Sequence, residues 1–138
     1  MSFVLDASAA LAWAFERVHP DEAKAALTLL ARFRDDEALV PDLWHLEVAN
    51  ALVVGNRRGA ISAAKVSDFL ARLDALPIRT DATPASERKE RLFALAREHE
   101  LSAYDAAYLD LAMRTGSPLA TFDRRLAGAR DRAGVPEA

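Results

Sequence analysis

The sequence contains no cysteine in its 138 residues. This absence excludes a disulfide framework, a thiolate metal site and a cysteine nucleophile, and it is compatible with a reducing cytosol. No apolar run is long enough to cross a bilayer, and the amino terminus lacks the basic segment and long apolar stretch of a signal peptide. We therefore expect a cytoplasmic protein that makes no use of a membrane.

The sequence also lacks an excess of positive charge. Its 18 Lys and Arg residues are outnumbered by 21 Asp and Glu residues, which gives a formal net charge of −3 at pH 7. This balance argues against a protein that coats nucleic acid nonspecifically. Two arginine pairs, Arg57-Arg58 and Arg124-Arg125, could still hold phosphates, although Arg57 and Arg58 are equally well explained as solvated charges at the negative end of a helix.

What the sequence does contain is an alternation of short apolar runs with helical patterns. The runs at 2–5, 38–40, 77–80 and 119–121 are expected to be strands, with a further edge strand or a tail at 134–136. Ser8 is the expected N-cap of a first helix that ends near Glu16, and Thr83-Pro84 is the expected start of another. This alternation predicts a three-layer α/β/α fold around a central, mainly parallel sheet of four or five strands. Because there is no repeat, low-complexity tract or linker, we expect a single domain over residues 1–138.

Two of the predicted strands end in a carboxylate. Asp6 follows the first strand, and Asp123 follows the strand near the other end of the chain. In doubly wound sheets, sites are built where parallel strands end at their carboxyl side. The alternative for each residue taken alone is an ordinary turn or N-cap aspartate.

A third carboxylate lies in an almost wholly apolar helical segment. Residues 43–54 leave hardly any polar face, so this helix is expected to be buried. Glu47 interrupts the pattern, and Asn50 shares its face one turn later. An ionised carboxylate at such a place costs several kcal/mol unless something compensates it. The alternative is a buried salt bridge to an arginine.

A fourth carboxylate, Asp105, lies early in the helix expected to start at Ser102. Here Ser102-x-x-Asp105 has the form of a capping box, so a purely local role for Asp105 is an equal alternative. Asp110 lies further along the same helix and precedes Arg114 by one turn. We expect Asp110 to be a solvated ion-pair partner of that arginine.

The four acids are more informative together than singly. Strand ends and early helix turns all open onto the same edge of a doubly wound sheet, so we expect Asp6, Glu47, Asp105 and Asp123 to meet there. Four carboxylates in one place repel one another unless a cation is bound. Oxygen ligands alone suit Mg²⁺ or Mn²⁺, and such a site is typical of metal-assisted phosphodiester hydrolysis.

With these acids identified, the chain resembles the PIN-domain proteins, specifically the VapC-type ribonuclease toxins of toxin–antitoxin pairs. The resemblance covers essentially the whole chain. It is carried by four segments in this order, Val4-Leu5-Asp6-Ala7-Ser8-Ala9, Glu47-Val48-Ala49-Asn50-Ala51-Leu52, Leu101-Ser102-Ala103-Tyr104-Asp105-Ala106-Ala107-Tyr108 and Leu119-Ala120-Thr121-Phe122-Asp123-Arg124-Arg125-Leu126.

The resemblance implies a Mg²⁺- or Mn²⁺-dependent endoribonuclease. It implies Asp6 and Asp105 as direct metal ligands, with Glu47 and Asp123 acting through water or at a second metal. The implied polar support comes from Ser8, Asn50 and Thr121. It also implies a homodimer and a small antitoxin whose basic side chain reaches into the acidic pocket. We expect four arginines to contact the RNA substrate, and these are Arg124, Arg125, Arg57 and Arg58.

Two other functions are compatible with parts of the pattern. A PIN-like fold with intact acids could serve as a non-catalytic binding or regulatory module. An aspartyl-phosphate phosphatase would also begin with a strand that ends in Asp. That chemistry requires a second acid two residues later, where this chain has Ser8, and it is therefore the weaker alternative.

Overall fold

Four short parallel strands form the centre of the fold. The structure is a computed structural model that describes residues 1–15 and 19–138. The strands are β1 (Ser2–Leu5), β2 (Glu37–Val40), β3 (Ile78–Thr80) and β4 (Leu119–Ala120), and all their pairings are parallel. Their order across the sheet is β3-β2-β1-β4. The predicted parallel sheet is confirmed, with four strands.

Helices cover both faces of this sheet. Those in the described part of the chain are α1 (Ala7–Leu11), α2 (Pro20–Ala31), α3 (Leu43–Arg57), α4 (Ala63–Asp74), α5 (Lys89–His99), α6 (Ala103–Thr115) and α7 (Arg124–Arg132), with short 3₁₀ turns at Arg32–Arg34 and Ala85–Glu87. β1 is buried because helices pack on both of its sides, as the apolar run predicts. The three-layer α/β/α architecture is confirmed.

Two predicted helix starts are wrong. Asp6, not Ser8, is the N-cap of α1, because its Oδ1 atom accepts the Ala9 amide at 2.9 Å while the Ser8 hydroxyl is used elsewhere. α1 ends at Leu11, and Glu16, where it was expected to end, lies outside the described residues. Thr83-Pro84 leads into a 3₁₀ turn, and α5 starts only at Lys89.

Other element ends agree with the sequence. Gly59 follows the end of α3 with φ +75°, a conformation that glycine adopts without strain. The Ser102 hydroxyl accepts the Asp105 amide at 3.1 Å and thereby caps α6. The predicted edge at 134–136 is reduced to a single parallel bridge between Leu119 and Glu137.

Helix α3 is less buried than its composition predicts. One side, with Trp44, Val48 and Leu52, packs into the core. The opposite side faces solvent, and Leu46 there is 76% exposed. Composition alone cannot reveal this, because an apolar helix face looks the same whether or not the chain covers it. Glu47 therefore lies at the boundary between core and solvent.

Asp110 corrects a further prediction, since it is 2% exposed rather than solvated. Its oxygens accept hydrogen bonds from Arg88 at 3.0 and 2.5 Å and from Arg114 at 3.1 Å. Arg114 also donates to Asp81 at 2.8 Å, which connects α6 to the end of β3. Asp110 is thus a structural ion-pair centre. Over the described ranges, no helix is long and apolar enough to cross a membrane.

Candidate active site

The strand order predicts a crevice at the carboxyl ends of β1 and β4. From β1 the chain moves outward to β2 and β3, and only then returns to the other side of β1 as β4. Such a reversal opens a gap beside the central strand, where α/β proteins bind their ligands. Leu5 is in register with Ala120, so Asp6 and Thr121 emerge side by side at this gap.

Asp6 is held there by a dense set of hydrogen bonds. The Ser8 hydroxyl donates to Oδ1 at 2.7 Å, and the Thr121 hydroxyl donates to Oδ2 at 2.5 Å. The two hydroxyl oxygens in turn accept the amides of Phe122 and Asp123, each at 3.0 Å. Ser8 and Thr121 therefore join the end of β1 to the segment after β4 and fix the Asp6 carboxylate between them.

The Asp6 carboxyl is difficult to ionise in this setting. Burial raises its pKa from 3.8 to about 6, although the bonds from Thr121, the Ala9 amide and Ser8 oppose the rise. The negative charge of Asp105 raises it further. The pKa stays high because the hydrogen bonds from two hydroxyls and one amide do not offset the cost of burying the charge.

Glu47 lies on α3 and is half-buried at the same site. Burial raises its pKa and the charge of Asp105 adds to the rise, whereas a hydrogen bond from Tyr108 lowers it. The Tyr108 hydroxyl donates to Glu47 Oε1 at 2.5 Å. The alternative of a salt bridge to an arginine is not found among the described residues.

Asp105 and Asp123 complete the group of acids. Burial raises the pKa of Asp105, the charge of Asp123 raises it further, and the Ser102 hydroxyl lowers it. Asp123 is exposed and caps α7 by accepting the Leu126 amide at 2.9 Å. The local capping roles considered for Asp6 and Asp123 are therefore real, and each carboxylate also interacts electrostatically with Asp105.

These acids interact electrostatically in pairs, and Asp105 takes part in every pair. Within residues 1–15 and 19–138, no Lys or Arg forms an ion pair with Asp6, Glu47, Asp105 or Asp123. The donor set consists of carboxylate oxygens, and the pKa values of Asp6, Glu47 and Asp105 are raised, which fits a divalent cation such as Mg²⁺ or Mn²⁺. No three acidic or histidine side chains in this part of the chain are close enough to hold a metal ion as they stand. The four-carboxylate metal site stays a prediction.

The remaining predicted residues are placed at different distances from the acids. Asn50 is exposed on α3, one turn after Glu47. Arg124 and Arg125 are exposed in the first turn of α7, directly after Asp123. They line a shallow pocket together with Arg132 and His99. Arg57 and Arg58 lie at the far end of α3, about 15 Å along the helix from Glu47. The structure does not bring this second pair to the acids.

One site residue was missed by the sequence analysis. Tyr108 fits the apolar pattern of α6, and its ring is indeed in the core. Its hydroxyl, however, reaches Glu47 on a different helix. The available signal was its spacing from Asp105, because residues three apart share a helix face.

Comparison with known proteins identifies the class to which this fold and site belong. The family model described as the PIN domain matches residues 3–131. The chain belongs to the PIN-domain family.

Within that family, two relatives carry ribonuclease names. The chain is 35% identical over 131 residues to Ribonuclease VapC3 of Pyrobaculum aerophilum, covering 92% of this chain and 93% of that protein. It is 32% identical over 107 residues to Ribonuclease VapC1 of Mycobacterium tuberculosis, covering 76% and 77%. The crystal structure of PAE2754 from Pyrobaculum aerophilum has the same fold, with a TM-score of 0.68 and 24% identity over 94% of this chain and 84% of that one. The predicted resemblance to VapC-type ribonucleases is confirmed.

Proposed function

We propose that this protein is a metal-dependent endoribonuclease that acts as the toxin of a toxin–antitoxin pair. The observation that carries the proposal is the buried Asp6 at the gap between β1 and β4, electrostatically coupled to Asp105 with no cationic side chain beside it among the described residues. Membership of the PIN-domain family and the similarity to two VapC ribonucleases support the activity.

In the proposed mechanism, Asp6 and Asp105 would hold Mg²⁺ or Mn²⁺, with Glu47 and Asp123 acting through water or at a second ion. When bound, such a cation would activate water for attack on the phosphodiester and neutralise charge on the phosphate. Ser8 and Thr121 keep the Asp6 carboxylate in place through their hydroxyl protons. Asn50 offers an amide on the face of Glu47.

The RNA strand is proposed to lie along the first turn of α7. Arg124 and Arg125 follow Asp123 directly, so phosphates next to the scissile bond come within their reach. Arg132 extends the same pocket by a further two turns of helix. Arg57 and Arg58, at the far end of α3, are in reach only of more distant parts of a long RNA.

One observation favours a second function. No three acids in the described residues are gathered into a preformed metal group, which is compatible with a PIN-like binding or regulatory module without metal-dependent turnover. The phosphatase alternative is disfavoured, because Ser8 stands where a second acid is needed and its proton is donated to Asp6.

The test is cleavage of an RNA whose two ends are chemically blocked, so that only internal hydrolysis gives products. Purified protein is incubated with Mg²⁺, Mn²⁺ or a chelator. We expect cleavage only with metal, and a loss of at least about 100-fold in rate for Asp6→Asn and Asp105→Asn. The matched control is Asp68→Asn, which alters an exposed carboxylate on α4 and is expected to cleave normally.

Each outcome distinguishes the two functions. Cleavage lost in both site variants and retained in the control supports the nuclease. RNA binding without cleavage under every metal condition supports the non-catalytic module. Equal cleavage by the site variants indicates a contaminating nuclease and contradicts the proposed site.

The toxin role includes an antitoxin partner and a homodimer. An apolar groove between α2 and α4 offers a surface for a protein partner and is lined in part by Trp13, Leu27, Leu30, Phe69 and Leu76. Induced expression in bacteria is expected to arrest growth, and Asp6→Asn is expected to relieve the arrest. Light scattering of the purified protein tests the homodimer. Growth unaffected by an actively cleaving protein would contradict the toxin role alone.

A further inference from the structure

Tyr108 connects two of the helices that carry the acids. Tyr108 is 1% exposed, and its ring packs in the core between α6 and the sheet. Its hydroxyl donates to Glu47 Oε1 on α3 at 2.5 Å. Asp105 lies one turn before Tyr108 on the same face of α6. Glu47 on α3 thus accepts a hydrogen bond from α6 and also interacts electrostatically with Asp105 of that helix.

Packing alone does not account for a tyrosine at this place. Phenylalanine would fill the same volume without burying a hydroxyl, and a buried hydroxyl without an acceptor costs about 1–3 kcal/mol. The buried hydroxyl is tolerated because the Glu47 carboxylate accepts a hydrogen bond from it. A charged acceptor also makes this bond stronger than a neutral one.

The bond determines which oxygen of Glu47 is free. Oε1 is occupied by the Tyr108 proton, and no other side-chain donor contacts Glu47 in the described parts of the chain. Oε2 is therefore left open on a carboxylate that is fixed in orientation at the rim of the site. Without the bond, the half-buried side chain can rotate about its own torsions, and its charge loses the one side-chain donor that the described residues provide.

We propose that Tyr108 is a positioning residue that holds Glu47 oriented toward Asp105, so that a divalent cation finds both carboxylates in place. This inference rests on the proposed metal-dependent function. It assigns to Tyr108 no contact with RNA and no part in the chemical step. Removing a residue that positions a metal ligand in this way commonly weakens metal affinity by about 10–100-fold.

The first experiment measures Mn²⁺ binding without RNA, by calorimetry, for the unmodified protein and for Tyr108→Phe. We expect Tyr108→Phe to weaken Mn²⁺ binding by about 10–100-fold, while circular dichroism shows an unchanged fold because the ring is retained. Tyr104→Phe is the matched control. This residue lies on the same helix, is 66% exposed and loses only a solvated hydroxyl, so its Mn²⁺ affinity is expected to stay unchanged.

A second variant separates positioning from packing. Glu47→Asp shortens the side chain, withdraws the carboxylate from the hydroxyl and leaves the core around Tyr108 untouched. We expect Glu47→Asp to weaken Mn²⁺ binding, and Tyr108→Phe to add less than about twofold in that background, since interacting residues are not additive. In cleavage assays the Mn²⁺ requirement of Tyr108→Phe is expected to rise while the KM for RNA stays constant.

The outcomes that overturn the inference are distinct from those that overturn the nuclease. Equal Mn²⁺ affinity of Tyr108→Phe and the unmodified protein overturns the positioning role alone. The positioning role is also overturned if Tyr108→Phe weakens Mn²⁺ binding as much in the Glu47→Asp background as in the unmodified protein. If Tyr108→Phe fails to fold, normal Mn²⁺ binding by Glu47→Asp decides against the inference. Absence of Mn²⁺ binding in the unmodified protein overturns both the inference and the metal-dependent function.

Discussion

Replacing Asp6 by asparagine is expected to stabilise the metal-free protein. Burial raises the pKa of Asp6 from 3.8 to about 6, so the fold favours the neutral carboxyl. The stability linked to the neutral form is fully present below about pH 3.8, is lost as the pH rises, and is gone above about pH 6. A shift of about two pH units corresponds to about 3 kcal/mol. Asparagine is neutral, has nearly the same shape and is an equally good N-cap, and its amide nitrogen replaces Oδ2 once the Thr121 hydroxyl rotates to accept instead of donate.

The expected change in the free energy of unfolding is large enough to measure directly. Urea unfolding of both proteins in chelator is followed by circular dichroism between pH 4.5 and 8. The advantage of Asp6→Asn is expected to be about 3 kcal/mol at pH 7.5 and about 1 kcal/mol at pH 4.5. In thermal unfolding, the larger value corresponds to a rise in Tm of about 10 °C for a domain of this size.

The control is Asp123→Asn, since Asp123 also follows a strand and caps a helix but is exposed. Its free energy of unfolding is expected to change by less than about 0.5 kcal/mol at any pH. Adding Mn²⁺ is expected to narrow the gap between Asp6→Asn and the unmodified protein, because a bound ion stabilises only the protein that holds it. A destabilised Asp6→Asn, or an advantage independent of pH, would refute the reasoning.

Two further predictions concern the scaffold. Asp110→Asn leaves Arg88 and Arg114 without their buried carboxylate. It is expected to lower the free energy of unfolding by about 3 kcal/mol in urea titrations. Unchanged stability would contradict the ion-pair centre. Gly55→Ala places a Cβ atom 2.6 Å from the Phe15 ring. It is expected to lower the free energy of unfolding by about 1–3 kcal/mol in the same urea titrations. An unaffected unfolding midpoint would show that the ring moves aside freely.

The parts of the fold that follow from local pattern were predictable. β1 is a short run that is apolar on both faces, and such a run has few alternatives to a buried strand. Once the strands were assigned, the positions of Asp6 and Thr121 at one edge followed from parallel topology. The Ser102 cap of α6 was predictable because capping depends only on neighbouring residues.

The parts that depend on distant partners were not predictable. Asp110 looked solvated because Arg114 is its only local partner, whereas Arg88 lies 22 residues away in the chain. Tyr108 looked like an ordinary core ring because hydrophobic periodicity does not register a hydroxyl. Ser8 was expected to cap α1, but its proton and lone pair are used by Asp6 and the Phe122 amide. That the chain is one domain over 1–138 stays a prediction.

The hydroxyl clamp on Asp6 has a consequence for the order in which the molecule is made. Ser8 and Thr121 are 113 residues apart in the chain, and β4 leaves the ribosome after the other three strands of the described sheet. A growing chain that stops before residue 119 has neither this strand nor the Thr121 proton, and its Asp6 faces an unfilled edge. The acidic centre is therefore assembled only after residue 121 has been made, so a product that stops earlier carries the first acid without the surroundings that orient it.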